Sequence, residues 1–187
     1  MEIKKGYMYL TDLEKQVLRE AKDFNPSYIR QGIHNWKLFI SVKKYFDEIG
    51  LDYIVRQENG RVLVNVIFAF YMKCRLVENL DCYNIDTMLQ IIKDGLGLQD
   101  VEKYRDILNG YMQGGLYCFE AMTAFLVVYQ RCKKNGKEMV YDSETIAKDV
   151  ANIIRHIKHK DTLQRKKRSF GNADAFLFYG DKIKLGE

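Results

Sequence analysis

Arg165-Lys166-Lys167-Arg168 sets four cations side by side, and Ser169-Phe170-Gly171-Asn172 follows at once. Clustered lysine and arginine side chains neutralise phosphates, and the counterions released add to affinity. The basic stretch is wider than this run. Arg155, Lys158, Lys160, Arg165, Lys166, Lys167 and Arg168 face a single anion, Asp161, so 14 residues carry +6. The whole chain carries +5, which leaves −1 for the other 173 residues. His156 and His159 add charge as the pH falls. The candidate anion- or nucleic-acid-binding residues are therefore Arg155, Lys158, His159, Lys160, Arg165, Lys166, Lys167 and Arg168. Ser169, Gly171 and Asn172 offer backbone N–H groups beside them, and Phe170, Phe176 and Phe178 have the π-faces on which bases stack. The competing use is structural. Cations near a helix C-terminus offset its dipole, and phenylalanines of a hairpin pack on a core.

A second basic surface is expected near Arg30, His34, Lys37 and Lys44. Lys37 and Lys44 are seven residues apart and share a helical face, with His34 three before Lys37. Trp36, spaced with Ile33 and Ile40, reads as a core residue. A helix-turn-helix is a weaker reading of the same stretch, with Tyr28, Arg30, Gln31, His34 and Asn35 as base-contacting groups. Its second helix is long and apolar for a groove reader.

Catalysis has thinner support. Metal-dependent phosphodiester chemistry needs paired carboxylates. Asp47, Glu48, Asp52 and Glu58 are candidates, as are Asp174 and Asp181, but none has a diagnostic spacing. His156 and His159 sit at i and i+3 and could serve as general acid and base, or simply as surface residues of a basic helix end. No Gly-rich phosphate loop, Gly-x-Ser-x-Gly or Cys/His pair occurs. Cys74, Cys82, Cys118 and Cys132 form no Cys-x-x-Cys and lie far from the histidines, so neither metal nor other cofactor is expected. Free thiols of a reducing cytoplasm are the simplest reading.

The elements that must position these residues follow from patterning. The 187 residues are 47% apolar and 29% charged, with one proline. That is expected to give a single compact domain over 1–187, with a basic segment at 155–168 and a terminal hairpin at 174–185. The longest apolar run, Val66 to Met72, is far short of the ~20 residues that cross a bilayer. The first residues lack the apolar core of a secretion signal, so no membrane association and a cytoplasmic location are expected.

Thr11-Asp-Leu-Glu14 has the form of a capping box, and Leu13, Val17, Leu18 and Ala21 predict a helix over 12–23. Asn25-Pro26 starts a second helix that runs to Gly50, with Gly32 as a possible break. Glu58-Asn59-Gly60 lies between two β-rich runs and predicts a hairpin of 53–57 with 61–67. Residues 62–77 read as strand, as buried helix, or as a strand passing into a helix near Phe68. Further helices are expected up to Gly95, between Asp100 and Gly110, from Leu116 to Lys134, and from Asp142 or Ser143 into the basic segment. The fold class is α+β, predominantly helical, with a central β-hairpin near 53–67 and a small C-terminal β-hairpin.

The function expected is that of a non-catalytic binding or regulatory protein contacting nucleic acid or a nucleoprotein through its basic segment. The composition suits a small inhibitor or regulator from a bacterium, phage or mobile element. Two rivals remain at this point: a nuclease or RNA-modifying enzyme, and a protein–protein interaction module using exposed aromatics among its 13 tyrosines.

Overall fold

The computed structural model describes residues 3–20, 25–35, 37–76, 84–161 and 185–186. The fold is α+β and predominantly helical, with one small antiparallel sheet. The chain divides into two compact units, Met1–Glu102 and Lys103–Glu187.

The first unit opens with β1 (Tyr7–Tyr9), which passes directly into α1 (Leu10–Glu20). The helix begins two residues before the expected start, so Thr11 lies inside it rather than capping it. Glu14, placed by the sequence in a capping box, turns instead to Arg30. Its oxygens accept from the guanidinium at 2.8 and 3.3 Å. Asn25 does start α2 (Pro26–Asn35): its Oδ1 accepts from the Ser27 N–H at 3.0 Å and its carbonyl from the Tyr28 N–H at 3.0 Å. A separate helix, α3 (Lys37–Glu48), follows, so the expected long helix is two and Gly32 lies within the first. Its end at Gly50 is as expected, with Leu51 N–H donating to the Phe46 carbonyl at 3.0 Å.

The central hairpin forms from β2 (Ile54–Arg56) and β3 (Val62–Asn65), paired Ile54 with Val64 and Arg56 with Val62. Glu58-Asn59-Gly60 makes a three-residue loop. Gly60 N–H donates to the Gln57 carbonyl at 2.9 Å, and Gly60 sits at φ +77°, where a side chain is strained. β1 pairs with the other edge of β3, Tyr7 opposite Asn65, giving the order β1-β3-β2. No strand was expected at β1.

The ambiguity over 62–77 resolves as both states: β3 runs straight into α4 (Val66–Leu76). Ile67, Phe68, Phe70, Tyr71 and Met72 are all buried, as expected of a helix apolar all round. Phe46 meets Phe68 edge-on at 4.9 Å, joining α3 to α4. α5 (Ile85–Leu96) is capped by Asn84, whose side chain accepts from the Thr87 N–H at 2.8 Å. It ends two residues later than the sequence pattern indicated, at Gly97. Gly95 is interior because the space of its missing side chain is filled: a Cβ there would lie 2.6 Å from Ile67 Cγ1.

In the second unit, after a single 3-10 turn ending at Tyr104, come α6 (Arg105–Gln113), α7 (Cys118–Lys134) and α8 (Ser143–Asp161). α6 also continues past its expected stop. A Cβ at Gly110 would lie 2.9 Å from Ile146 Cγ2, and one at Gly114 would lie 2.9 Å from Val150 Cγ1. Two glycines four apart, Gly110 within α6 and Gly114 at its C-terminal cap, thus receive two β-branched side chains four apart on α8. α7 is buried over most of its surface, with Phe125 stacked on Tyr129 at 5.7 Å. Asp142 Oδ2 accepts from the Thr145 N–H at 2.8 Å and starts α8 where the sequence placed it. The expected hairpin at 174–185 lies, save for Leu185, outside the described residues, as do Cys82 and Trp36.

Candidate nucleic-acid interface

α8 buries Ile146, Asp149, Val150 and Ile153 and exposes Glu144, Lys148, Ala151 and Arg155. Among the described side chains that exposed stripe ends at Arg155. The backbone stays helical through Asp161, so Arg155, Lys158, His159 and Lys160 share one helix. Lys148 is paired with Glu144 at 3.0 Å, whereas Arg155 is exposed. Arg165, Lys166, Lys167 and Arg168 lie outside the described residues, with Ser169, Phe170, Gly171, Asn172, Phe176 and Phe178.

The chain beyond the basic segment meets the same unit again at Leu185 and Gly186. Arg131 of α7 donates to the Leu185 carbonyl at 2.7 Å, and Asp149 of α8 accepts from the Gly186 N–H at 2.9 and 3.1 Å. Asp149 is 2% exposed, and burial pushes its carboxyl up to about 6 despite the Gly186 N–H and the Arg131 charge. An acid whose folded value exceeds its unfolded one binds its proton more tightly when folded. Its contribution to stability is therefore fully present below about pH 4, falls as pH rises to about 6, and is flat above. Acidifying from pH 7 to pH 5 is expected to stabilise the native chain by about 1 kcal/mol more than the Asp149→Asn variant. Thermal unfolding at the two pH values reads this directly, and parallel shifts in both proteins would refute it.

The secondary candidates are only partly assembled. Arg30 is engaged by Glu14, whose side chain is 11% exposed, and that pairing raises the hold of the guanidinium on its proton. His34 lies on α2 and Lys37 on α3, so they do not share one helical face. Lys44 is exposed on α3. The carboxylates proposed for metal chemistry are dispersed: Asp47 and Glu48 end α3, Glu58 sits in the hairpin loop, and Asp52 lies 4.0 Å from Lys4 Nζ. Among the described residues no three His, Cys, Asp or Glu side chains cluster as metal ligands. Asp174 and Asp181 lie outside them. Cys74 and Cys118 are buried. No described helix is long and apolar enough to cross a membrane.

The first unit holds a feature that sequence reasoning did not find. A groove of about 700 Å³ opens where β1 enters α1, between the hairpin loop and α2. Its cations are Lys15, Arg30, Arg56 and Arg61, and its anions are Asp12 and Glu14. Arg56 ends β2, and Arg61 follows the loop and lies 5.3 Å over the Tyr9 ring. An arginine on each side of Glu58-Asn59-Gly60 was the available signal, since a hairpin brings the two ends of its loop together.

The chain matches no protein-family model, no curated protein and no solved structure.

Proposed function

We propose that this protein is a non-catalytic regulator that binds nucleic acid, free or within a nucleoprotein, through residues 155–168. The observation that carries the reading is the continuity of charge. The exposed stripe of α8 reaches Arg155, the first of seven cations that the sequence sets against one anion over residues 155–168. The rest of the chain is close to neutral, so electrostatic attraction concentrates there.

Labelled DNA and RNA, incubated with the protein across a salt series with and without Mg²⁺, test this. The expected result is binding that weakens as salt rises, with the strand intact. Reversing Arg165, Lys166, Lys167 and Arg168 to glutamate is expected to lower affinity at least tenfold. The slope of log affinity against log salt should become shallower by about 3 to 4 for duplex DNA, close to one per lost phosphate contact. Binding unchanged by the reversal overturns the site, and cut strands overturn the non-catalytic assignment.

A further inference from the structure

We infer that the groove of the first unit is a second, separate anion site that takes a phosphate group carried on a nucleotide. The argument starts from its charges. Arg30 is closed by Glu14 at 2.8 Å, and Lys15 lies 3.6 Å from Asp12. Those pairs cancel, which leaves Arg56 and Arg61 as the surplus. Among the described residues neither has a carboxylate partner, and both are exposed. Two exposed arginines line one groove, and a guanidinium fork suits an oxyanion.

The surroundings narrow the class of anion. The ring of Tyr9 supports the face of the Arg61 guanidinium, which leaves its N–H edge to donate. Leu10, Thr11 and Asp12, the first turn of α1, line the same groove, so the positive end of the helix dipole lies at its wall. Asn59 and Gly60 line the side of the hairpin loop. Ile33, Ile54 and Val62 add apolar surface to the same groove. A lone inorganic anion needs no apolar wall and fills little of 700 Å³, whereas that size lies within the range of small-molecule sites. A phosphate joined to a sugar and a flat base uses both the charged and the apolar lining. The phosphate can belong to a free nucleotide or to a strand end, because the recognised chemistry is the same.

The test uses the full chain with Arg165, Lys166, Lys167 and Arg168 changed to alanine, so that the basic segment of the second unit does not contribute. Binding of adenosine monophosphate, pyrophosphate and a 5′-phosphorylated hexanucleotide is measured by calorimetry. Each is repeated after adding Arg56→Ala and Arg61→Ala, with Lys148→Ala as the surface-charge control. The expected result is binding of at least one nucleotide probe, weakened tenfold or more by the arginine pair and unchanged by the control. Equal losses for the mononucleotide and the hexanucleotide assign the free nucleotide, and binding of the hexanucleotide alone assigns a strand end. Pyrophosphate binding tighter than either nucleotide overturns the role of the apolar wall. No binding, or binding that the arginine pair does not change, overturns the site. Circular dichroism of each variant checks that the fold is retained. Arg56→Lys with Arg61→Lys, which keeps the charge and loses the fork, is expected to recover only part of the affinity.

Discussion

Changing Gly6 to alanine is expected to destabilise the protein by about 3 kcal/mol or more. Two costs add. Gly6 has φ +83°, and a side chain in the left-handed region costs roughly 1–2 kcal/mol. The new methyl would also enter the Asp94 carbonyl: its Cβ would sit 2.8 Å from the carbonyl carbon and closer still to the oxygen. Both neighbours are backbone atoms of α5, so no rotamer change relieves the contact, and forced overpacking costs roughly 1–3 kcal/mol. The position is also held from its other side, because the Gly6 carbonyl accepts from the Val66 N–H at 3.0 Å where β3 becomes α4. Moving Gly6 therefore disturbs α5 and the strand–helix joint together. Gly60→Ala is the matched control. It has φ +77° and nothing within 4 Å of the added carbon, so only the first cost applies. Urea unfolding of the two variants gives the difference. Equal losses would mean that the close approach to α5 is not present in solution.

The helices and hairpin that the sequence indicated correctly are those whose signals are local. α8 starts at Asp142 because a short acidic side chain can reach the Thr145 N–H, and that spacing is visible in any listing of residues. The hairpin around Asn59-Gly60 and the apolar run of α7 are local in the same sense. Two of the misplaced ends are at glycine. Gly95 and Gly110 look like stops, since glycine weakens a helix by up to ~1 kcal/mol. Each is interior because a distant side chain, Ile67 or Ile146, occupies its empty side. That requirement depends on the tertiary partner and leaves no local mark. β1 failed to register for the same reason. Three residues, Tyr7 to Tyr9, carry no period, and their state is set by pairing with Leu63 to Asn65 more than 50 residues away.

The two candidate sites differ in the same way. The basic segment is legible because charge density is a property of consecutive residues, and its 14 positions stand out against a neutral chain. The groove draws Lys15 from α1, Arg30 from α2 and Arg56 and Arg61 from the hairpin. Arg30 was singled out as a basic residue, but its partner Glu14 is 16 positions earlier, beyond any helical spacing rule. Without that pairing the arithmetic of the groove cannot be done, and the surplus of Arg56 and Arg61 stays hidden.

Asn65→Ala is expected to cost about 2–4 kcal/mol, although the residue is polar and small. Asn65 is fully buried at the joint of β3 and α4. Its Oδ1 accepts from the Ile67 N–H at 2.9 Å, and its Nδ2 donates to the Gly95 carbonyl at 2.8 Å. Truncation removes a helix cap, at roughly 0.5–2 kcal/mol, and leaves a buried carbonyl on α5 without its donor, at roughly 1–3 kcal/mol. Asn65→Asp separates the two contributions. The carboxylate keeps the cap and suits the positive end of α4, but presents a second oxygen to the Gly95 carbonyl at hydrogen-bond distance. Only the protonated acid can donate there, so its folded form holds the proton more tightly than the unfolded chain does. Asn65→Asp should consequently be destabilised at pH 7 and regain stability as the pH falls toward 4, while Asn65→Ala shows no such recovery relative to the native chain. Denaturant midpoints at pH 7 and pH 5 distinguish these cases. An aspartate variant with a flat pH response would mean that the Gly95 carbonyl finds another donor.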